Sequence, residues 1–281
     1  SAVETAASQQ YVTKFIAPEF NTDVPRLKSQ HLQLEYWLAK TTNPDQVLFS
    51  SRQIQQFNQR LISTLPEVID VFAEPLSYQA AVVDKMIVDL SHRQASPRFN
   101  QAGVAFTEQD WQRYEKMLGL NQLPALVTVQ FALVTSRGHL RTFPTNDAVY
   151  SSKTDQQLDR FQETAVFPGE ALQVLHFSED RQWAFVRHYH YQGWLELKHF
   201  AIGEKSVVQK FVNVTDVMVV TGAQVKTNAS PTLPQASEIV LEMGVKLPRV
   251  RQHPAVVNGQ NTSFSYVVKL PVRAADGRLQ L

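Results

Sequence analysis

The sequence predicts an α+β chain, helical in its first part and built from two small antiparallel β-barrels after that. Three observations carry this reading. Apolar residues recur at helical spacing, with cap residues, before residue 124. At Pro124 the pattern switches to a β-branched and apolar run. From there onward short apolar runs alternate with turn residues, the signature of small barrels. Boundaries near 124 and 204 divide the chain into a helical segment, 1–124, and two β modules, 125–203 and 204–281.

The helical elements follow in order. Leu34, Tyr36, Trp37 and Leu38 lie in a short amphipathic stretch within Leu27 to Lys40. Ser50 and Ser51 are cap residues for Arg52–Leu61, where Ile54, Phe57 and Leu61 repeat at helical spacing, and the pattern stops before Pro66. Tyr78–Leu90 reads as a helix with Ala81, Val82, Met86 and Ile87 on its apolar side. Thr107 with Asp110 forms a capping box for Glu108–Leu118, and Gly119 closes that helix.

The strands come next. Ala125–Thr135 is the first, followed by Leu172–Phe177, Trp183–His190 and Trp194–Leu197. Asp216–Val220, Ile239–Leu241 and Phe264–Leu270 continue the series. Turns are expected at Pro168-Gly169, Glu179-Asp180, Gln192-Gly193 and Asn258-Gly259.

Composition narrows the function. Net charge is +1, from 27 basic and 26 acidic residues, with no block of like charge, so no nucleic acid is expected as a partner. The chain has no cysteine, which removes disulfides, thiolate metal sites and a cysteine nucleophile. No apolar run reaches the ~18 residues of a transmembrane segment. The first residues, Ser1 to Ser8, lack a basic region and an apolar run, and read as a mature or trimmed N-terminus compatible with export. There is no Gly-x-Ser-x-Gly elbow, P-loop or dinucleotide fingerprint, and no cofactor is expected.

The stretch 141–197 carries a family resemblance. It holds Arg141-Thr142-Phe143-Pro144-Thr145, then Phe167-Pro168-Gly169-Glu170, then Val174-Leu175. Ser178-Glu179-Asp180-Arg181-Gln182-Trp183-Ala184-Phe185-Val186 and Tyr191-Gln192-Gly193-Trp194 come after these. In order they resemble the first bacterial SH3 module (SH3b1 type) of NlpC/P60 cell-wall peptidases. Met243-Gly244-Val245-Lys246-Leu247-Pro248, Tyr266 to Arg273 and Asp276-Gly277 resemble the second module. The helical part resembles the family's N-terminal stabilising domain around Ser50–Leu61. The resemblance implies two SH3-like β-barrels. It further implies a papain-like Cys/His catalytic domain after the second one, where this sequence stops at Leu281, so that domain is expected in cis or in trans. The full-length protein would then be a gamma-D-glutamyl-L-diamino-acid endopeptidase of the periplasm or cell envelope, with the peptidoglycan stem peptide as partner.

Within the motif, Trp183 and Trp194 are large apolar rings suited to plugging a small barrel. Val174, Phe185 and Leu195 fit inward-facing positions, Gly169 suits a turn, and Gly193 permits close approach beside Trp194. The resemblance assigns substrate binding to Glu170 and Tyr191, which would hold the free amine of the stem peptide's L-Ala. The chemistry suits the task, since a carboxylate pairs with an ammonium and a phenol adds a fixed polar tip. The plainer alternative makes Glu170 a solvated turn acid and Tyr191 half-buried packing. His188 and His190 share a strand face, with His176 and His199 as further imidazoles. They are read as surface histidines rather than a zinc site, which needs at least three protein ligands when catalytic. A competing function is an interaction scaffold with no ligand of its own.

Overall fold

The computed structural model describes residues 21–281, and the N-terminal stretch Ser1 to Ser8 lies outside the described residues. By packing, the chain divides into Ser1–Asn58 and Gln59–Leu281. In the first unit Leu34–Leu38 forms a short helix, α1, whose apolar residues Leu34, Trp37 and Leu38 stay exposed. Ser51–Thr64 forms α2, which runs across the division. Ser50 caps it reciprocally: its hydroxyl accepts from the Gln53 N–H at 3.3 Å, and Gln53 Oε1 accepts from the Ser50 N–H at 2.8 Å.

In the second unit Ser77–Gln79 forms β1 and Ala80–Leu90 forms α3. Tyr78 therefore belongs to a strand, not to the helix. The buried residues of α3 are Val83 and Ile87, four apart on one face, while Val82 is exposed, contrary to the apolar side read from the sequence. Glu108–Met117 forms α4 behind the expected Thr107–Asp110 capping box, and Gly119 follows with a left-handed backbone.

The strands Leu126–Thr128 (β2), Gln130–Val134 (β3), Gly138–Arg141 (β4), Gln162–Val166 (β5) and Ala171–Phe177 (β6) lead on to Trp183–Arg187 (β7), Gln192–Glu196 (β8) and Phe200–Gly203 (β9). β1 pairs with β2, and the rest form an antiparallel sheet of order β5-β4-β8-β7-β6-β3-β9. Along each central strand, residues alternate between two buried faces. Ala132, Val134, Leu172, Val174, Ala184, Val186 and Leu195 form one core. Phe131, Leu133, Leu175, Trp183, Phe185 and Trp194 form the other, together with Val83 and Ile87 of α3 and Tyr114 of α4. This corrects the assignment of the two tryptophans. They do not fill the core of Val174 and Leu195; they bind the helical segment to the sheet. For the same reason the change of element type at 124 is not a gap in packing: helices before it and strands after it share one core.

Arg141, Phe143 and Ser178 of the motif are structural fastenings. Arg141 is buried, pairs with Asp159 at 2.7 Å and donates to the Asp147 carbonyl at 2.6 Å. Phe143 joins Phe106, Trp111, Tyr114 and Phe161 in an aromatic cluster. The buried Ser178 hydroxyl donates to Asp180 Oδ1 at 2.6 Å and accepts from the Trp183 N–H at 3.0 Å, which closes the turn between β6 and β7.

After β9, Lys205–Val212 forms α5, with Val208 and Phe211 buried. Short strand pairs complete the chain: Val217–Val219 (β10) with Lys246–Pro248 (β13), and Gln224–Lys226 (β11) with Val240–Glu242 (β12). Val256–Val257 (β14) pairs with Gln260–Asn261 (β15) through a two-residue turn in which Asn258 and Gly259 both have positive φ. Val272–Arg273 (β16) pairs with Leu279–Gln280 (β17). The strand expected over Phe264–Leu270 does not form. Val268 bridges to Arg249, with the Val250 N–H donating to the Val267 carbonyl and the Lys269 N–H to the Pro248 carbonyl, while Phe264 is fully exposed in a turn closed by the Ser265 N–H on the Thr262 carbonyl. Gln192 and Gly193 likewise lie inside β8 rather than in a turn, and the reversal occurs over 188–191.

Candidate functional site

Glu170 stands just before β6, in the turn opened by Pro168-Gly169. Gly169 has φ +89°, and a Cβ there would meet Leu247 Cδ2 at 3.2 Å and the Lys246 carbonyl at 3.3 Å. Glycine is therefore required both by the backbone angle and by the close approach. The turn fixes the acid that follows it. Glu170 Oε2 accepts from the Phe167 N–H at 2.7 Å, and the side chain keeps 29% of its surface exposed. Among the described residues Oε1 accepts no hydrogen bond, so only one of the two carboxylate oxygens is anchored.

The reversal between β7 and β8 passes close to this acid. The His188 N–H donates to the Tyr191 carbonyl at 2.7 Å, and the Ile69 N–H donates to the Tyr189 carbonyl at 2.8 Å. His188 is buried, with Nε2 3.3 Å from Glu170 Oε2, an approach that is close but not aligned as a hydrogen bond. His190 packs on it with ring centroids 4.9 Å apart, and Tyr189 stands 4.3 Å from both imidazoles. Burial, then the neighbouring His188, hold the His190 imidazole below its usual pKa, while the charge of Glu170 opposes them. Burial and then the Glu170 charge push the Tyr189 phenol up.

Tyr191 is half-buried, and its hydroxyl donates to Glu163 on β5. Burial, reinforced by that carboxylate, pushes the phenol up to about 12. It therefore stays a neutral donor across the physiological range. Glu170 and Tyr191 thus come to the same end of the sheet, linked through His188. Tyr191 also lines a hollow of about 430 Å³ with Leu90, Ile69 and His190, and Glu170 is not in that wall.

Two parts of this arrangement are absent from the sequence reading. Glu163 gave no signal, because its link to Tyr191 crosses 28 positions. His188 was read as a surface histidine on a strand, whereas β7 ends at Arg187 and the imidazole is buried against Glu170. His176 is buried too, with Nε2 donating to the Leu118 carbonyl at 3.0 Å and 3.1 Å from the Gly119 carbonyl. His199 Nδ1 lies 2.9 Å from Ser136 Oγ. Among the described residues no three His, Asp or Glu side chains gather as metal ligands.

Comparison with known proteins supports the domain type. Residues 148–196 match the SH3 domain (SH3b1 type) family model, a span that contains both Glu170 and Tyr191 but not Arg141 to Thr145. No curated protein matches the sequence. Among solved structures, an NlpC/P60 endopeptidase from Photobacterium damselae subsp. piscicida shares the fold, with a TM-score of 0.61 at 16% identity. The similarity covers 83% of this chain and 50% of that one, so this chain spans about half the length of the endopeptidase it resembles. The chain therefore carries an SH3b1-type domain within a fold shared with an NlpC/P60 endopeptidase.

Proposed function

We propose that this chain is the non-catalytic, peptidoglycan-binding region of an NlpC/P60-type cell-wall peptidase in the periplasm or cell envelope. In this reading residues 125–203 and 204–281 are tandem SH3b modules behind a stabilising helical segment. They bind the stem peptide and shape the cleft of a Cys/His catalytic domain, supplied in cis or in trans. Glu170 receives the peptide's free amine, and the Tyr191 phenol oxygen, whose proton goes to Glu163, accepts beside it. The observation that carries the proposal is the half-anchored carboxylate of Glu170, oriented by the Phe167 N–H at 2.7 Å while still partly exposed. An anchored carboxylate loses little freedom on meeting an ammonium, which favours a charge-assisted hydrogen bond.

Calorimetry with L-Ala-gamma-D-Glu-diamino acid tests it. Glu170→Gln keeps an oxygen for the Phe167 N–H and should spare the fold. It should weaken binding by ~1–3 kcal/mol, about 5- to 150-fold. N-acetylation of the peptide should do the same to the unaltered protein. Equal affinity for all three pairings would remove Glu170 from the site.

A second reading, a docking scaffold without a ligand of its own, draws on Met243, Phe264 and Tyr266, which expose large apolar side chains in the C-terminal part. It predicts no peptide affinity, so the same titration separates the two.

A further inference from the structure

The opposite face of the sheet carries a polar group that the Glu170–Tyr191 site does not use. Alternation along β6 and β7 places Gln173 opposite Arg187 on the face that packs on the helical segment. Gln173 is 2% exposed, and its amide donates to the Val71 carbonyl at 2.9 Å. Its Oε1 is buried without a donor. Arg187 donates from Nη1 to the Tyr78 hydroxyl at 2.9 Å and forms no salt bridge among the described residues. Two neighbouring hollows, of about 460 and 430 Å³, share Arg187 in their walls, and the larger is also lined by Gln173 and Tyr78.

The buried amide oxygen is left without a donor, and the half-buried guanidinium has no carboxylate partner among the described residues. One ligand end would answer both: a carboxylate for Arg187 and, with a small turn of the Gln173 amide that brings its covered Oε1 to the wall of the hollow, an adjacent N–H for that oxygen. Asp70 and Glu74 also line the larger hollow. Each accepts a backbone N–H, from Phe72 and Leu76 respectively, at 2.9 Å. Their charge opposes any anion in the hollow, and N–H groups carried beside a carboxylate offset that repulsion where a bare inorganic anion cannot. We infer that the hollow bounded by Arg187, Gln173 and Tyr78 binds the C-terminal residue of a short peptide through its free carboxylate and its amide N–H. This site stands apart from the Glu170 carboxylate, although Arg187 also lines the hollow that Tyr191 walls, and it does not depend on the function proposed for Glu170.

The test is a titration of the whole chain, followed by heteronuclear NMR, with N-acetyl-Ala-Ala, its C-terminal carboxamide, and inorganic phosphate. The acid is expected to bind saturably and to shift the Gln173 side-chain amide. The carboxamide should bind at least about tenfold more weakly, and Arg187→Gln should erase that preference. The acid and carboxamide comparison leaves the protein unaltered, so it stands even where the variant folds poorly. Equal binding of acid and carboxamide, tighter binding of phosphate, or no saturable shift at Gln173 would each overturn the assignment.

Discussion

Replacing Trp194 with alanine probes the placement of the sheet's two faces. Trp194 is fully buried, packs edge-on against Phe185 with centroids 5.6 Å apart, and donates from Nε1 to Ser91 Oγ at 3.0 Å. Burying such a ring removes ~150–250 Å² from water, about 4–6 kcal/mol at ~25 cal/mol per Å². Measured aromatic-to-alanine losses run ~3–5 kcal/mol, so about 4 kcal/mol is expected. Losing the indole N–H adds little, because the Ser91 hydroxyl keeps its bond to the Thr142 carbonyl. Urea unfolding should show the midpoint falling with an unchanged slope. Location is the sharper readout. Trp194 shares its core with Val83 and Ile87 of α3, so hydrogen exchange should accelerate in α3. Leu195→Ala, one residue on and in the other core, should cost ~2–5 kcal/mol without that selective loosening. A Trp194→Ala loss below ~1 kcal/mol, or α3 equally loosened by both variants, would refute the two-faced packing.

Two further outcomes are expected from the same structure. Gly169→Ala should lower stability by ~1–3 kcal/mol, since it places a Cβ at φ +89° and 3.2 Å from Leu247 Cδ2; an unchanged thermal midpoint would show that the turn relaxes freely. Burial holds the His176 imidazole below its usual pKa. A depressed folded pKa contributes stability that is present above the unfolded value of ~6.5 and is lost as pH falls through the folded value. Urea midpoints should therefore drop from pH 7.5 towards pH 5, less steeply in His176→Gln, whose amide can still donate to the Leu118 carbonyl. Parallel profiles for the two proteins would take His176 out of that account.

The sequence by itself determined the elements whose causes are local. The Thr107–Asp110 box, the Ser50 cap and the Asn258-Gly259 turn all form as read, because capping and turn geometry act over two to four residues. The burial of Val174, Phe185, Trp183, Trp194 and Leu195 was legible for the same reason: large apolar residues in alternating runs are buried wherever they land. Which side they face was not legible. Period-two alternation names two faces without saying what covers each, and only the packing of α3 and α4 put the tryptophans against helices. Phe264–Leu270 pairs only around Val268, because its first residues are drawn into a turn by the Ser265 N–H on the Thr262 carbonyl. The site divides in the same way. Glu170 and Tyr191 could be named from a motif, but the Glu163 bond to Tyr191 and the buried His188 beside Glu170 join segments distant in sequence. Those contacts, and the placing of Gln173 opposite Arg187, exist only once the sheet's register has been set by the packing of both its faces.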